Sequence, residues 1–201
     1  MPEREDTEWL NFWFSRGNKN LDNRVLLIGD SIAREYRGPL ENLINKPVDF
    51  FATSAYIADD MFWKQFDLFF SFKEYRQSKA HIQIGLHGIN TFGGAKHSNS
   101  LEEWEIYYEK LVKRIMEFIP DLTIALSTPA IITNTGVLYE KWNDEIIKRN
   151  RIAAKIAEKY KLNINDLYTL MLGEPHRDMT HFPKEGSEKI AKKIAESLKL
   201  L

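Results

Sequence analysis

Three residues of this chain have types and spacings that could carry nucleophilic chemistry. Ser31 closes the triplet Gly29-Asp30-Ser31, which follows an apolar run at 25–28 and precedes a helix-like segment. A strand-to-helix turn there would present the hydroxyl at the end of a strand. The free amides of a helix start would lie beside it and carry positive partial charge. Serine is a weak nucleophile at neutral pH and needs an adjacent base. Far down the chain, "HRDMTHF" holds Asp178 and His181 on a short turn. A carboxylate at that spacing can reach the nearer imidazole nitrogen and fix its tautomer. The other nitrogen is then available to a serine, the arrangement that acyl transfer through a Ser-His-Asp triad requires. Blander readings stand beside this one. Ser31 could cap a helix, a position serine favours, and Asp178 could cap the last helix or pair with Arg177. Asp30 is expected to anchor the turn by bonding local amides.

Positioning these residues falls to an alternation of strand-like and helix-like segments. Strands are expected at "RVLLIGD" (24–30), "PVDFFAT" (47–53), "AHIQIGL" (80–86), "LTIALSTP" (122–129) and, briefly, "LNIND" (162–166). Helical patterns fill 32–45, 58–76, 101–119, 138–160 and 184–201, with Gly38-Pro39 expected to interrupt the first. Such alternation predicts a parallel sheet covered on both faces, with its site at the carboxyl ends of the strands. The loops starting at Gly29, Thr53, Gly85, Ser127 and Asn165 then share one edge. Ahead of them, "TEWLNFWFSRG" sets Leu10, Trp13 and Phe14 at helical spacing. Residues 1–22 are therefore expected to form a helical extension packed on a domain spanning 23–201. The aromatic run "MFWKQFDLFFSF" reads as core packing.

Composition narrows the possible functions. A chain of 201 residues fits one domain, and 28 basic against 29 acidic residues leave no footprint for nucleic acid or anionic lipid. The absence of cysteine excludes disulfides and thiolate chemistry. The start is acidic before it is apolar, unlike a secretory leader, and no apolar run approaches the ~18 residues of a membrane span. A cytoplasmic location is expected. His81 reads as structural within a strand, and His97 and His176 as solvated loop residues. No histidine and carboxylate set has metal-ligand spacing, so neither metal nor other cofactor is expected.

Three blocks in order, "LLIGDSI", "IGLHGIN" and "DMTHFPKEG", make the chain resemble the SGNH (GDSL-type) hydrolases from about Arg24 to Leu200. The resemblance implies a flavodoxin-like three-layer α/β/α sandwich with a parallel five-stranded sheet, and hydrolysis of esters. It implies Ser31 as nucleophile, His181 as base and Asp178 as orienting acid. The family's oxyanion site uses the serine's own amide, a glycine amide after the second strand and an asparagine side chain after the third. Here Ser54 or Ala55 stands where that glycine would be. His87 takes the asparagine's place in Gly85-Leu86-His87-Gly88, with Asn90 the alternative donor. Small O-acyl esters, O-acetyl groups on carbohydrate among them, are the implied substrates. An acyltransferase using the same residues, and a non-catalytic glycan- or protein-binding member, are the rival readings.

Overall fold

The apolar run 25–28 lies at the centre of the sheet, paired in parallel on both sides and buried throughout, as a strand covered on two faces must be. The computed structural model describes residues 7–19, 22–89, 100–132 and 137–201. In chain order its elements begin with β1 (Leu10–Trp13), β2 (Arg24–Gly29), α1 (Ser31–Ile44), β3 (Val48–Thr53), α2 (Asp60–Phe70) and β4 (Gln77–Gln83). They continue with α3 (Leu101–Met116), β5 (Leu122–Leu126), α4 (Glu140–Tyr160), β6 (Asn163–Asp166), α5 (Leu167–Met171) and α6 (Lys184–Ser197). The strand order is β1-β3-β2-β4-β5-β6. β2 to β6 are mutually parallel, and β1 joins the edge antiparallel to β3.

The result is a three-layer α/β/α sandwich of the flavodoxin-like kind. Alternate residues of β2 serve opposite cores. Val25 and Leu27 pack with Tyr36 and Leu40 of α1 and Ile190 and Ile194 of α6. Leu26 and Ile28 pack with Phe62 and Phe66 of α2, Tyr108 and Leu111 of α3 and Ile156 of α4. The chain leaves β2 towards β3 on one side and later crosses to β4 on the other. The crevice beyond the carboxyl end of β2 is therefore the topological switch point, where sheets of this kind bind ligands. At the opposite end, Arg24 and Asp49 form a buried ion pair that also engages the amide of Ser15 and the side chain of Gln77.

Two expectations are corrected and one element is added. The sheet has six strands rather than five, because residues 10–13 form an edge strand and not part of a helix. Leu10, Trp13 and Phe14 fit a helical period, but the operative period is two. Phe12 and Phe14 turn towards Phe69, with ring centroids at 5.5 and 4.9 Å. Trp9 and Trp13 turn the other way, beneath Arg34 and Arg37 of α1 at 5.0 and 4.4 Å. The free edge of β3 supplied backbone partners that local spacing could not reveal. Gly38-Pro39 does not interrupt α1, which runs continuously from Ser31 to Ile44. The usual clash of a proline ring with the preceding Cβ is absent because that residue is glycine. Finally, the one-turn helix α5, capped by Asp166, had no separate signal. Among the described residues, no helix is long and apolar enough to cross a membrane.

Candidate active site

Ser31 opens α1 immediately after β2. Asp30, in extended conformation, is the N-cap, and its Oδ1 accepts the amide of Ile32 at 3.0 Å. This is the anchoring role expected of Asp30, and it leaves the Ser31 hydroxyl free of capping. The turn is tight because Gly29 has no side chain. A Cβ there would stand 2.4 Å from that of Ala33 and 2.9 Å from the carbonyl oxygen of Gln83. The Ser31 amide is the first of the helix, where no intrahelical acceptor exists. Burial raises the Asp30 carboxyl above its ordinary pKa, while the nearby charge of His87, the Ile32 amide and the charge of His181 pull it back.

The loop before α6 brings the other two residues to this point. His181 Nε2 lies 2.7 Å from Ser31 Oγ. On its far side, His181 Nδ1 is 2.9 and 3.0 Å from the two carboxylate oxygens of Asp178. Asp178 Oδ1 also accepts the amides of His181 and Thr180, at 2.9 and 3.0 Å. Burial pushes the Asp178 carboxyl up, but those two amides and the His181 ring outweigh it and hold it below its ordinary value. The loop is closed by the Arg177 amide donating to the His181 carbonyl at 2.7 Å. Arg177 itself pairs with Glu35 of α1 at 2.6 Å and only distantly with Asp178, at 3.8 Å. Serine, imidazole and carboxylate thus form one hydrogen-bonded line.

The remaining sequence candidates separate. The Ser54 amide donates to the Trp9 carbonyl at 3.1 Å, and the Ala55 amide to Thr53 Oγ1 at 2.9 Å. Both amides are therefore committed within the fold. His87 is half-buried in the turn after β4, its ring edge-on to Trp9 with centroids 6.2 Å apart. Its turn follows β4, which pairs with β2 up to the Gly29–Gln83 step, so it lies at the edge from which Ser31 opens α1. Asn90 and His97 lie outside the described residues.

Four residues at this edge were not singled out from the sequence. Trp9 arrives on the edge strand. From α4, Asn143 exchanges hydrogen bonds with the backbone of Ala130, and Asn150 does the same with Ser127. Arg149, fully buried, donates to the turn that carries His87. The signal was present: Asn143, Arg149 and Asn150 share the inward stripe of Trp142, Ile146 and Ala153. Polar residues on the buried stripe of a helix must have partners.

His81 and His176 are structural. His81 is buried in β4, 3.2 Å from Asn165 Nδ2, and burial lowers its pKa to about 3. His176 is not simply solvated. Its ring nitrogens lie 2.9 and 3.1 Å from the carbonyls of Glu174 and Pro129, and the ring packs on Phe182. The aromatic run packs as core, with Phe62, Phe66 and Phe69 buried. A cavity of about 400 Å³ beside Phe69 and Phe118 sits at the Gln77 end of β4, opposite Ser31. Among the described residues, no three His, Asp or Glu side chains gather as a metal site.

No family model and no curated protein matches this sequence. Solved structures do match the fold. A lipase/acylhydrolase from Enterococcus faecalis superposes with a TM-score of 0.65 at 13% identity, over 88% of this chain and 95% of its own. A protein described as a GDSL-like lipase from Parabacteroides merdae gives 0.68 at 15%, over 90% and 97%. An acetylxylan esterase from Geobacillus stearothermophilus gives 0.66 at 13%, over 88% and 94%. The fold is that of the SGNH, or GDSL-type, hydrolases.

Proposed function

We propose that this protein is a serine-dependent carboxylic-ester hydrolase, with Ser31 as nucleophile, His181 as general base and Asp178 as the acid that orients it. The observation that carries the reading is the unbroken line from Asp178 through His181 to Ser31, with both imidazole nitrogens engaged. In acylation, Ser31 Oγ attacks the ester carbonyl and its proton passes to His181 Nε2. The imidazolium is held by the Asp178 carboxylate, and the developing oxyanion by the Ser31 amide and the His87 ring. Collapse of the tetrahedral species breaks the ester C–O bond as His181 protonates the leaving alcohol. Water, deprotonated by His181, then repeats the sequence on the acyl-enzyme and releases the acid.

Small O-acyl esters, including O-acetyl groups on carbohydrate, are the proposed substrates. The support is the acetylxylan esterase among the proteins of like fold. The test is a panel of p-nitrophenyl esters of increasing acyl length, run on wild type and Ser31→Ala. Turnover of the short esters that vanishes in the variant is expected, together with fluorophosphonate labelling that needs Ser31. Added alcohol acceptors, with product analysis, separate hydrolysis from acyl transfer. A wild type that neither turns over nor labels would leave a binding protein.

A further inference from the structure

A helix packed on a sheet ordinarily presents apolar side chains inward, and α4 does so with Trp142, Ile146, Ala153, Ile156 and Ala157. Arg149 lies on that same stripe with no exposure. Its Nη1 donates to the carbonyls of Gly85 at 3.1 Å and His87 at 2.7 Å, and its Nη2 to that of Gly88 at 2.9 Å. Glu145, one turn earlier, sets a carboxylate 3.4 Å from Nε and supplies a counter-charge. Burying a guanidinium is costly unless its donors are met. Packing alone would be served at no such cost by leucine or methionine.

What the three bonds accomplish is geometric. A peptide unit is planar, so holding the carbonyls of residues 85, 87 and 88 fixes the 85–86 plane ahead of Leu86 and the 87–88 and 88–89 planes that follow His87. His87 is bracketed by held planes, and the direction in which its side chain leaves the backbone is restricted with them. Gly88 tightens the same turn: its φ is +73°, and a Cβ there would stand 2.2 Å from the Tyr56 ring. Lysine, a point charge without the planar fork, could not hold three divergent carbonyls in this way.

We propose that Arg149 is a positioning residue that aims the His87 ring at the oxyanion, a role that rests on the esterase reading above. The test is ester turnover by Arg149→Met and Arg149→Lys, alone and combined with His87→Ala, alongside thermal melts. Arg149→Met is expected to lower kcat about tenfold or more, with KM within about threefold of wild type. Arg149→Lys should fall between. In the His87→Ala background the same change should cost less than about threefold more, since the ring it aims is gone. Fully additive losses, or losses in kcat that follow only the fall in melting temperature, overturn the proposal.

Imidazole NMR reads the positioning without any turnover. The His87 ring signals are expected to move in Arg149→Met while those of His81 stay in place. Unmoved His87 signals overturn the proposal even if esters are hydrolysed. Moved signals in a protein without turnover overturn the esterase reading and leave the clamp standing. Should Arg149→Met not fold, Arg149→Lys carries both measurements.

Discussion

The backbone amide of Ser54 donates to the carbonyl of Trp9 at 3.1 Å. That bond extends the β1–β3 ladder one step beyond the Leu10–Thr53 pair and brings an indole to the edge where Ser31 stands. It also commits an amide that sequence position alone had offered to the oxyanion. With the Ala55 amide held by Thr53, the candidates for the proposed anion site among the described residues are the Ser31 amide and His87.

His87→Ala is therefore expected to lower kcat by about 10²-fold, the typical cost of one oxyanion donor, with little change in KM. His87→Gln, which keeps a donor of similar reach, should recover part of the loss. Steady-state kinetics on a short aryl ester checks this. Equal kcat for wild type and His87→Ala would remove His87 from the site.

Asp178→Asn keeps the shape of the side chain but removes the charge that, in the proposed mechanism, holds the imidazole in its working tautomer. A fall in kcat of about 10³–10⁴ is expected. The pH profile carries a sign. The two amides and the His181 ring hold the Asp178 carboxyl below its ordinary value, so it is ionised across the working range. Asp178 should therefore add no proton to the acid limb of kcat/KM above about pH 5. A two-proton limb there would contradict this assignment. The stability linked to Asp178 is present above the unfolded carboxyl pKa and is lost only as pH falls through the lower folded one.

His81 gives stability a different pH dependence. Burial takes its pKa down to about 3, whereas in the unfolded chain it binds a proton near about pH 6.5. Its linkage contribution is complete above about pH 6.5 and declines towards pH 3, by up to about 1.4 kcal/mol per pH unit. His81→Gln should flatten the fall in melting temperature between pH 7 and 4. Parallel melting curves for the two proteins would show that another group dominates.

Gly29→Ala tests how closely α1 must approach the sheet. Its Cβ would meet that of Ala33 at 2.4 Å and the Gln83 carbonyl oxygen at 2.9 Å. Neither neighbour is a flexible side-chain end. A loss of about 1–3 kcal/mol is expected, and kcat should fall further than stability requires because Ser31 begins the displaced helix. Calorimetry and kinetics on the same sample separate the two effects.

Apolar runs and their alternation with helical segments, punctuated by glycine and proline, sufficed to locate the parallel strands and the carboxyl edge of the sheet. Burial on both faces leaves strands such as β2 and β3 few alternatives. The Gly-Asp-Ser triplet and the Asp-x-x-His turn were legible because each is local: a cap with its helix, and a carboxylate with an imidazole three residues on. Whatever depended on an unpaired backbone edge or a buried surface was not legible. Residues 10–13 became a strand because β3 had an edge to fill, although their spacing also suited a helix. Arg149 reads as one more charge among many until its helix is laid against the turn at residues 85–88. The sequence by itself determined the alternation of strands and helices along the chain and nominated Ser31, Asp178 and His181. Only tertiary structure decided that Trp9 takes up the Ser54 amide and that a buried guanidinium holds the turn of His87. Hydrogen-bond partners 45 and 62 residues apart leave no periodic trace in the chain.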